Sequence, residues 1–147
     1  MEEIKRPWLA RYDKGVPQHI DYPDVPLHYF VEEAARKYPD HVAMVLKGGK
    51  VTYHEFDEQS DQMAAALAAQ GVKKGDRVAI LMANCPQFLI TYFGILKAGG
   101  IVVACNPLYS PRELALQLND SGAKTVVVMS SLYPVIKQIQ AETALKT

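Results

Sequence analysis

No glycine-rich phosphate loop occurs in this chain of 147 residues: no such segment ends in Lys-Ser or Lys-Thr, and no glycine fingerprint joins a strand to the helix after it. Cradling of a nucleotide pyrophosphate by backbone N–H groups is not expected here. Cysteine is scarce too. Cys85 and Cys105 are the only two, which is no disulfide framework, and both are expected to stay reduced. No apolar run approaches the roughly 20 residues that span a bilayer. The charged opening MEEIKRPW lacks the apolar centre of a secretion signal, so the cytoplasm is the expected compartment. Neither sign of charge is in excess. Sixteen basic residues balance sixteen acidic ones, which removes long-range attraction to nucleic acid.

What is present is a punctuated series of apolar segments, with 49% of residues hydrophobic, enough to close a real core. Prolines at 7, 17, 23 and 26 make the start an arm whose Trp8, Tyr12 and Tyr22 are expected to pack on something. From Leu27, apolar residues at Phe30, Val31, Ala34 and Tyr38 mark an amphipathic helix that Pro39 stops. Val42 to Leu46 and Val51 to Tyr53 flank Lys47-Gly48-Gly49-Lys50, a hairpin in which the glycines supply positive φ. Thr52-Tyr53-His54-Glu55 reads as a capping box, with Val51 and Phe56 as its hydrophobic staple. The helix it opens buries Phe56, Ser60, Met63 and Leu67 and ends at Gly71.

The run Asp76 to Leu114 then reads strand, helix, strand, helix. Arg77 to Met82 is a strand; Asn84 caps a helix with Pro86 in its first turn, ending at Lys97-Ala98-Gly99-Gly100; Ile101 to Cys105 is the next strand. Ser110, Pro111 and Glu113 form a second capping box, stapled by Tyr109 and Leu114. Thr125 to Met129 is a third apolar strand, and Ser131 is expected to cap a last helix with Ile136 and Ile139 inside. This order implies an α/β domain whose mostly parallel sheet carries right-handed crossover helices. The chain reaches Thr147 without a helix stop, which reads as a cut.

Candidate chemistry is thin. His19, His28, His41 and His54 have no metal-ligand spacing, and no metal-binding residue is assigned. Asp57, Glu58 and Asp61 read as the wet face of a helix. Cys85 falls in a first helical turn, where the dipole can activate a thiol, but no His stands near it in sequence and a structural role is favoured. Asn106 to Arg112 lies beyond a strand's carboxyl end, where open α/β sheets place ligand crevices.

Val51 to Phe56, Gly75 to Ile80, Leu96 to Gly100 and Asn106 to Leu114, in that order and spacing, resemble the opening segments of the adenylate-forming superfamily, most closely its long-chain fatty-acid-CoA ligases. The resemblance implies that residues 1–26 are an arm and 27–147 part of the α/β N-terminal subdomain of a larger ligase. It implies a two-step reaction: a fatty acid attacks the α-phosphate of ATP, with Mg²⁺ offsetting charge, and the CoA thiol displaces AMP from the acyl-adenylate. The superfamily's phosphate loop, its later acidic residues and its C-terminal lysine have no counterpart here. The resemblance therefore implies no catalytic residue in this chain and an inactive fragment. It leaves one weak cofactor-binding candidate, Arg112, facing a CoA phosphate. Two alternatives stand beside this reading: a noncatalytic interaction module of the same fold, and a ligase for another carboxylic acid. Self-association and peripheral membrane contact of the parent are further expectations.

Overall fold

The computed structural model describes residues 6–147, so the first five residues of the expected arm lie outside the described residues. The rest of the arm has one 3₁₀ turn, Pro7–Arg11, and otherwise no regular element before the first helix. Its aromatics do not reach a core: Trp8 is 52% and Tyr22 82% exposed. Helix α1 (Tyr29–Lys37) buries Val31 and Ala35. Phe30 and Tyr38, expected on that inner face, stay about half exposed, because a nine-residue helix against one neighbour buries a narrow stripe.

Strands β1 (Val42–Leu46) and β2 (Gly49–Thr52) form an antiparallel hairpin with an irregular register between Val42 and Met44. Leu46 pairs with Gly49, so the loop is only two residues long, Lys47 at φ 50° and Gly48 at φ 84°. This corrects the expectation that glycines supply both positive φ values. Gly49 is in the strand, and a lysine occupies the first left-handed position of a type I′ turn, a conformation that favours Asn or Gly. Lys47→Asn should therefore stabilise the protein by about 0.5 kcal/mol; urea unfolding checks it, and an unchanged or lower midpoint refutes it.

Helix α2 (Tyr53–Ala69) starts with the expected capping box. The Thr52 N–H donates to Glu55 Oε2 at 2.8 Å, and the Glu55 N–H donates to Thr52 Oγ1 at 3.2 Å. Tyr53, expected to close the strand, is the first helical residue. Strand β3 (Arg77–Leu81), helix α3 (Pro86–Lys97), strand β4 (Ile101–Cys105), helix α4 (Pro111–Ser121) and strand β5 (Thr125–Val128) follow. The three strands form a parallel sheet in the order β4-β3-β5. Central β3 is apolar and buried from Val78 to Leu81, as suits a strand covered on both faces; only Arg77 at its start is exposed. Val78, Ile80 and Met82 pack with Leu67, Val72 and Ile95 on one side, whereas Ala79 and Leu81 pack with Leu114, Leu118 and Ile136 on the other. A third cluster, Val31, Phe56 and Ile90, sits under the hairpin with Val51 and Met44.

Two expected caps are not the ones used. Cys85, not Asn84, is the N-cap of α3, which places Pro86 at the first helical position, where its missing N–H costs nothing. Ser131 lies inside a 3₁₀ turn, Ser130–Leu132, and helix α5 (Tyr133–Ile139) begins after it. A cap at Ser131 would have aimed its hydroxyl at Pro134, which has no N–H to donate. Beyond α5 the chain returns to β5: the Val126 N–H donates to the Thr147 carbonyl at 2.9 Å and the Thr147 N–H to the Lys124 carbonyl at 3.3 Å. That alternation is the start of a parallel ladder.

Candidate functional site

The carboxyl ends of β3 and β4 carry the two loops where a ligand is expected in an open α/β sheet. After β4, Asn106 folds the chain back on itself. Its Oδ1 accepts from the Leu108 N–H at 3.0 Å and its carbonyl from the Tyr109 N–H at 3.1 Å. Ser110 then caps α4: its N–H donates to Glu113 Oε2 at 2.9 Å, and the Glu113 N–H returns to Ser110 Oγ at 3.4 Å. Hydrogen bonds from the Ser110 hydroxyl and backbone hold the Glu113 carboxyl below the usual glutamate range. The cap is thus retained at neutral pH and is lost only as pH falls below the range of an ordinary glutamate.

Arg112, in the first turn of α4, is exposed and makes no ion pair or side-chain hydrogen bond among the described residues. An open groove of about 450 Å³ runs along α4, bordered by Tyr109, Leu116 and Gln117. Gln117 donates from Nε2 to the Ala104 carbonyl at 3.1 Å, but its buried Oε1 has no partner. Arg112 does not line this groove, whose aromatic edge and unpaired acceptor suit a ligand with polar donor groups. Glu113 and Asp120 line the same groove and oppose phosphate there; the exposed Arg112 outside it is the cation of this segment suited to a phosphate.

The β3–α3 joint is different in kind. An open apolar groove of about 510 Å³ lies between the hairpin and α3, lined by Met44, Leu46, Cys85, Pro86, Phe88 and Leu89 among others. It offers no convergent donors. Pro86 has no N–H and no glycine allows close backbone approach, so this loop does not fit the phosphates of ATP. Among the described residues no three His, Cys, Asp or Glu side chains converge in a way that could hold a metal ion. The described residues do not fit Mg²⁺.

The remaining sequence-derived candidates resolve into structural roles. His28 Nδ1 contacts Glu32 Oε1 at 2.7 Å, and the His41 ring stacks on Tyr38 with centroids 5.2 Å apart. Asp57 and Asp61 are not simply a wet face. Lys97, with only 6% of its side chain exposed, reaches from α3 to Asp57 Oδ1 at 2.6 Å and Asp61 Oδ1 at 2.7 Å. The signal was present as two carboxylates at i and i+4 on one helix. Nothing in the sequence said which cation would cross to them.

The cysteines separate by burial. Cys105 is buried in the α4 side of the core, and burial pushes its thiol up to about 11. Cys85 is partly exposed in the groove wall. Native protein at pH 8 should therefore react with one equivalent of a thiol reagent, at Cys85, and with a second only on unfolding; two fast equivalents would refute this. An unfolded thiol ionises near about 8.5 while Cys105 keeps its proton, so stability should fall as pH rises from there toward 11.

Comparison with known proteins accords with this geometry. Residues 31–147 match the family described as AMP-binding enzyme. The chain is 39% identical over 141 residues to a long-chain-fatty-acid–CoA ligase of Bacillus subtilis, covering 96% of this chain and 25% of that protein. It is 42% identical over 146 residues to the ligase of the same name from Salmonella typhimurium, covering 97% and 26%. The crystal structure of a long-chain-fatty-acid-CoA ligase from Archaeoglobus fulgidus superposes with a TM-score of 0.85 at 27% identity, over 92% of this chain and 29% of that one. The chain thus spans about a quarter of the length of these relatives. The parallel sheet with its crossover helices is the N-terminal part of the adenylate-forming fold, and the chain belongs to the AMP-binding enzyme family.

Proposed function

We propose that this chain is the N-terminal portion of an ATP-dependent, AMP-forming ligase that activates long-chain fatty acids as acyl-adenylates and transfers them to CoA. The observation that carries this reading is the identity of about 40%, spread over nearly the whole chain, with long-chain-fatty-acid–CoA ligases of several bacteria. The parent would use ATP, Mg²⁺ and CoA, with a fatty acid as acyl donor. The 147-residue chain by itself contributes scaffold and no catalytic group. It should release no pyrophosphate from ATP, Mg²⁺ and palmitate, whereas a protein carrying this chain ahead of the rest of the ligase should do so. Pyrophosphate release by the isolated chain would overturn the first statement, and an inactive longer protein the second.

Within that protein, Arg112 is proposed to meet a phosphate of CoA. Arg112→Ala should raise the KM for CoA about tenfold and leave adenylate formation unchanged, since one exposed charge-assisted contact is at stake. An unchanged KM would leave Arg112 a surface residue of α4.

A ligase for a different carboxylic acid is the second reading. It is supported by the 37% identity over 105 residues to a plipastatin synthase of Bacillus subtilis, since a shared N-terminal scaffold does not select the acid. Activity of the longer protein across fatty, aromatic and amino acids decides between them. A cytoplasmic location, with peripheral membrane contact of the parent, is consistent with the lack of any described helix long and apolar enough to cross a membrane. The half-exposed Trp8 and the exposed Tyr22 support self-association through the arm (1–26); a monomer by light scattering at high concentration would refute it.

A further inference from the structure

The amino ends of the strands, opposite the loops just described, form a second concave surface with a distinct chemistry. A pocket of about 440 Å³ is lined by Lys73, Arg77, Lys124 and Lys146, with Asp76 as the only side-chain carboxylate. Asp76 is already engaged, accepting the Lys73 N–H at 2.8 Å. None of the four cationic side chains forms an ion pair or a side-chain hydrogen bond among the described residues. Elsewhere Lys37 pairs with Glu33 at 2.9 Å and Lys97 with its two aspartates, whereas Lys14, Lys47, Lys50 and Lys74 also lack an ion pair among the described residues; what sets the four apart is that they line one pocket. A chain with no net charge thus has four cationic residues, unpaired among the described residues, lining one hollow. Thr147 also lines the hollow, and its carbonyl oxygen accepts the Val126 N–H.

Three separate chain segments build the pocket. The loop before β3 and the first residue of that strand bring Lys73 and Arg77, the turn before β5 brings Lys124, and the returning segment brings Lys146, whose N–H is tied to the Lys124 carbonyl at 2.8 Å. Gly71, Gly75 and Gly122 line the mouth, and none has an atom within 4 Å of where a Cβ would stand, so the entrance is open. The Thr125 and Thr147 hydroxyls share a hydrogen bond at 3.2 Å, which leaves one hydroxyl proton to donate. We propose that this pocket binds a small, multiply charged phosphate ligand of the pyrophosphate class, at a site separate from the carboxyl-edge loops. Cations from three directions suit a compact polyanion with several acceptor oxygens. A concave, glycine-mouthed hollow suits a small ligand better than a flat membrane surface.

The test is calorimetric titration of the 147-residue chain with inorganic pyrophosphate at low and high salt. Saturable one-to-one binding that weakens with salt is expected. Lys124→Gln with Lys146→Gln should weaken it about tenfold, as two of the four cations are removed. The control pair Lys14→Gln with Lys50→Gln, equal in charge but outside the pocket, should leave it unchanged. Circular dichroism verifies folding of both variants. Absence of saturable binding, or equal loss in both double variants, overturns the proposal. So does binding to phosphatidylcholine vesicles doped with phosphatidic acid without binding of free pyrophosphate, because that would make the patch a membrane surface. Pyrophosphate binding by the isolated chain is independent of whether a longer protein has ligase activity, so the two readings fail separately.

Discussion

Gly94→Val should cost about 3 kcal/mol of stability, one of the two largest single-residue effects expected in this chain. Gly94 is buried within α3, where that helix crosses α2. A Cβ built there would stand 2.6 Å from Met63 Cγ, 2.7 Å from Met63 Cβ and 3.1 Å from the Ser60 carbonyl oxygen. Met63 Cβ and the Ser60 carbonyl cannot swing away as a side-chain tip could, so the helices must separate. Their separation would loosen Ile95 and Leu67, which share one core cluster beneath. Gly94→Ala should be milder, at about 1 kcal/mol net, because the gain in helix propensity offsets part of the clash. Urea unfolding of Gly94→Ala, Met63→Ala and the double variant forms a cycle that isolates the clash. A favourable coupling is expected, since removing Met63 Cγ relieves the shortest contact. Wild-type stability of Gly94→Val would show that the two helices can part freely.

Lys97→Met should be comparably destabilising, at about 3 kcal/mol, because it leaves two aspartates facing one another without their cation. The ammonium also donates to the Asp57 carbonyl at 3.1 Å, so three oxygens of α2 lose a donor at once. The lower end of the range for a broken buried pair applies, since Asp61 keeps 64% of its side chain in solvent. Asp57→Asn with Asp61→Asn in the Lys97→Met background should recover most of the loss, as amides tolerate the missing cation. Full stability of Lys97→Met alone would reduce the bridge to an incidental surface contact. Burial works to lower the pKa of Lys97, but its hydrogen bonds to Asp57 and Asp61, with their charges, outweigh this and raise it. A raised lysine pKa means that the contribution is complete at neutral pH. It is lost only as pH climbs beyond the range of a free lysine, so a stability profile from pH 6 to 9 should not move on account of this bridge.

Both effects arise at a contact between elements, and neither residue stands out in the chain. Gly94 is an isolated glycine within a helical pattern, and Lys97 reads as an ordinary basic residue in a last helical turn. By contrast, the boundaries that depend on neighbours in sequence were legible. Thr52 with Glu55, and Ser110 with Glu113, close their capping boxes as their three-residue spacing implies. The parallel strands were legible as short apolar runs between helix stops. Even there, the proline rule needed care: the missing N–H of Pro134 denies Ser131 a capping bond, and Pro86 moves the cap of α3 from Asn84 to Cys85.

For function the division is the same. The order of short motifs from Val51 to Leu114 placed the chain within the adenylate-forming enzymes without a structure, because each motif is a local solution to capping or turning the chain. The lack of a phosphate loop was likewise a property of consecutive residues. The sequence by itself thus determined the elements, their order and the family. Tertiary structure alone decided that Lys97 crosses to Asp57 and Asp61, that Gly94 is the contact point of two helices, and that Lys73, Arg77, Lys124 and Lys146 share one hollow. Backbone hydrogen bonding and capping act over three or four residues and leave a periodic trace in the chain. Charge pairing and close packing act through space between residues dozens of positions apart, and only the folded chain brings those together.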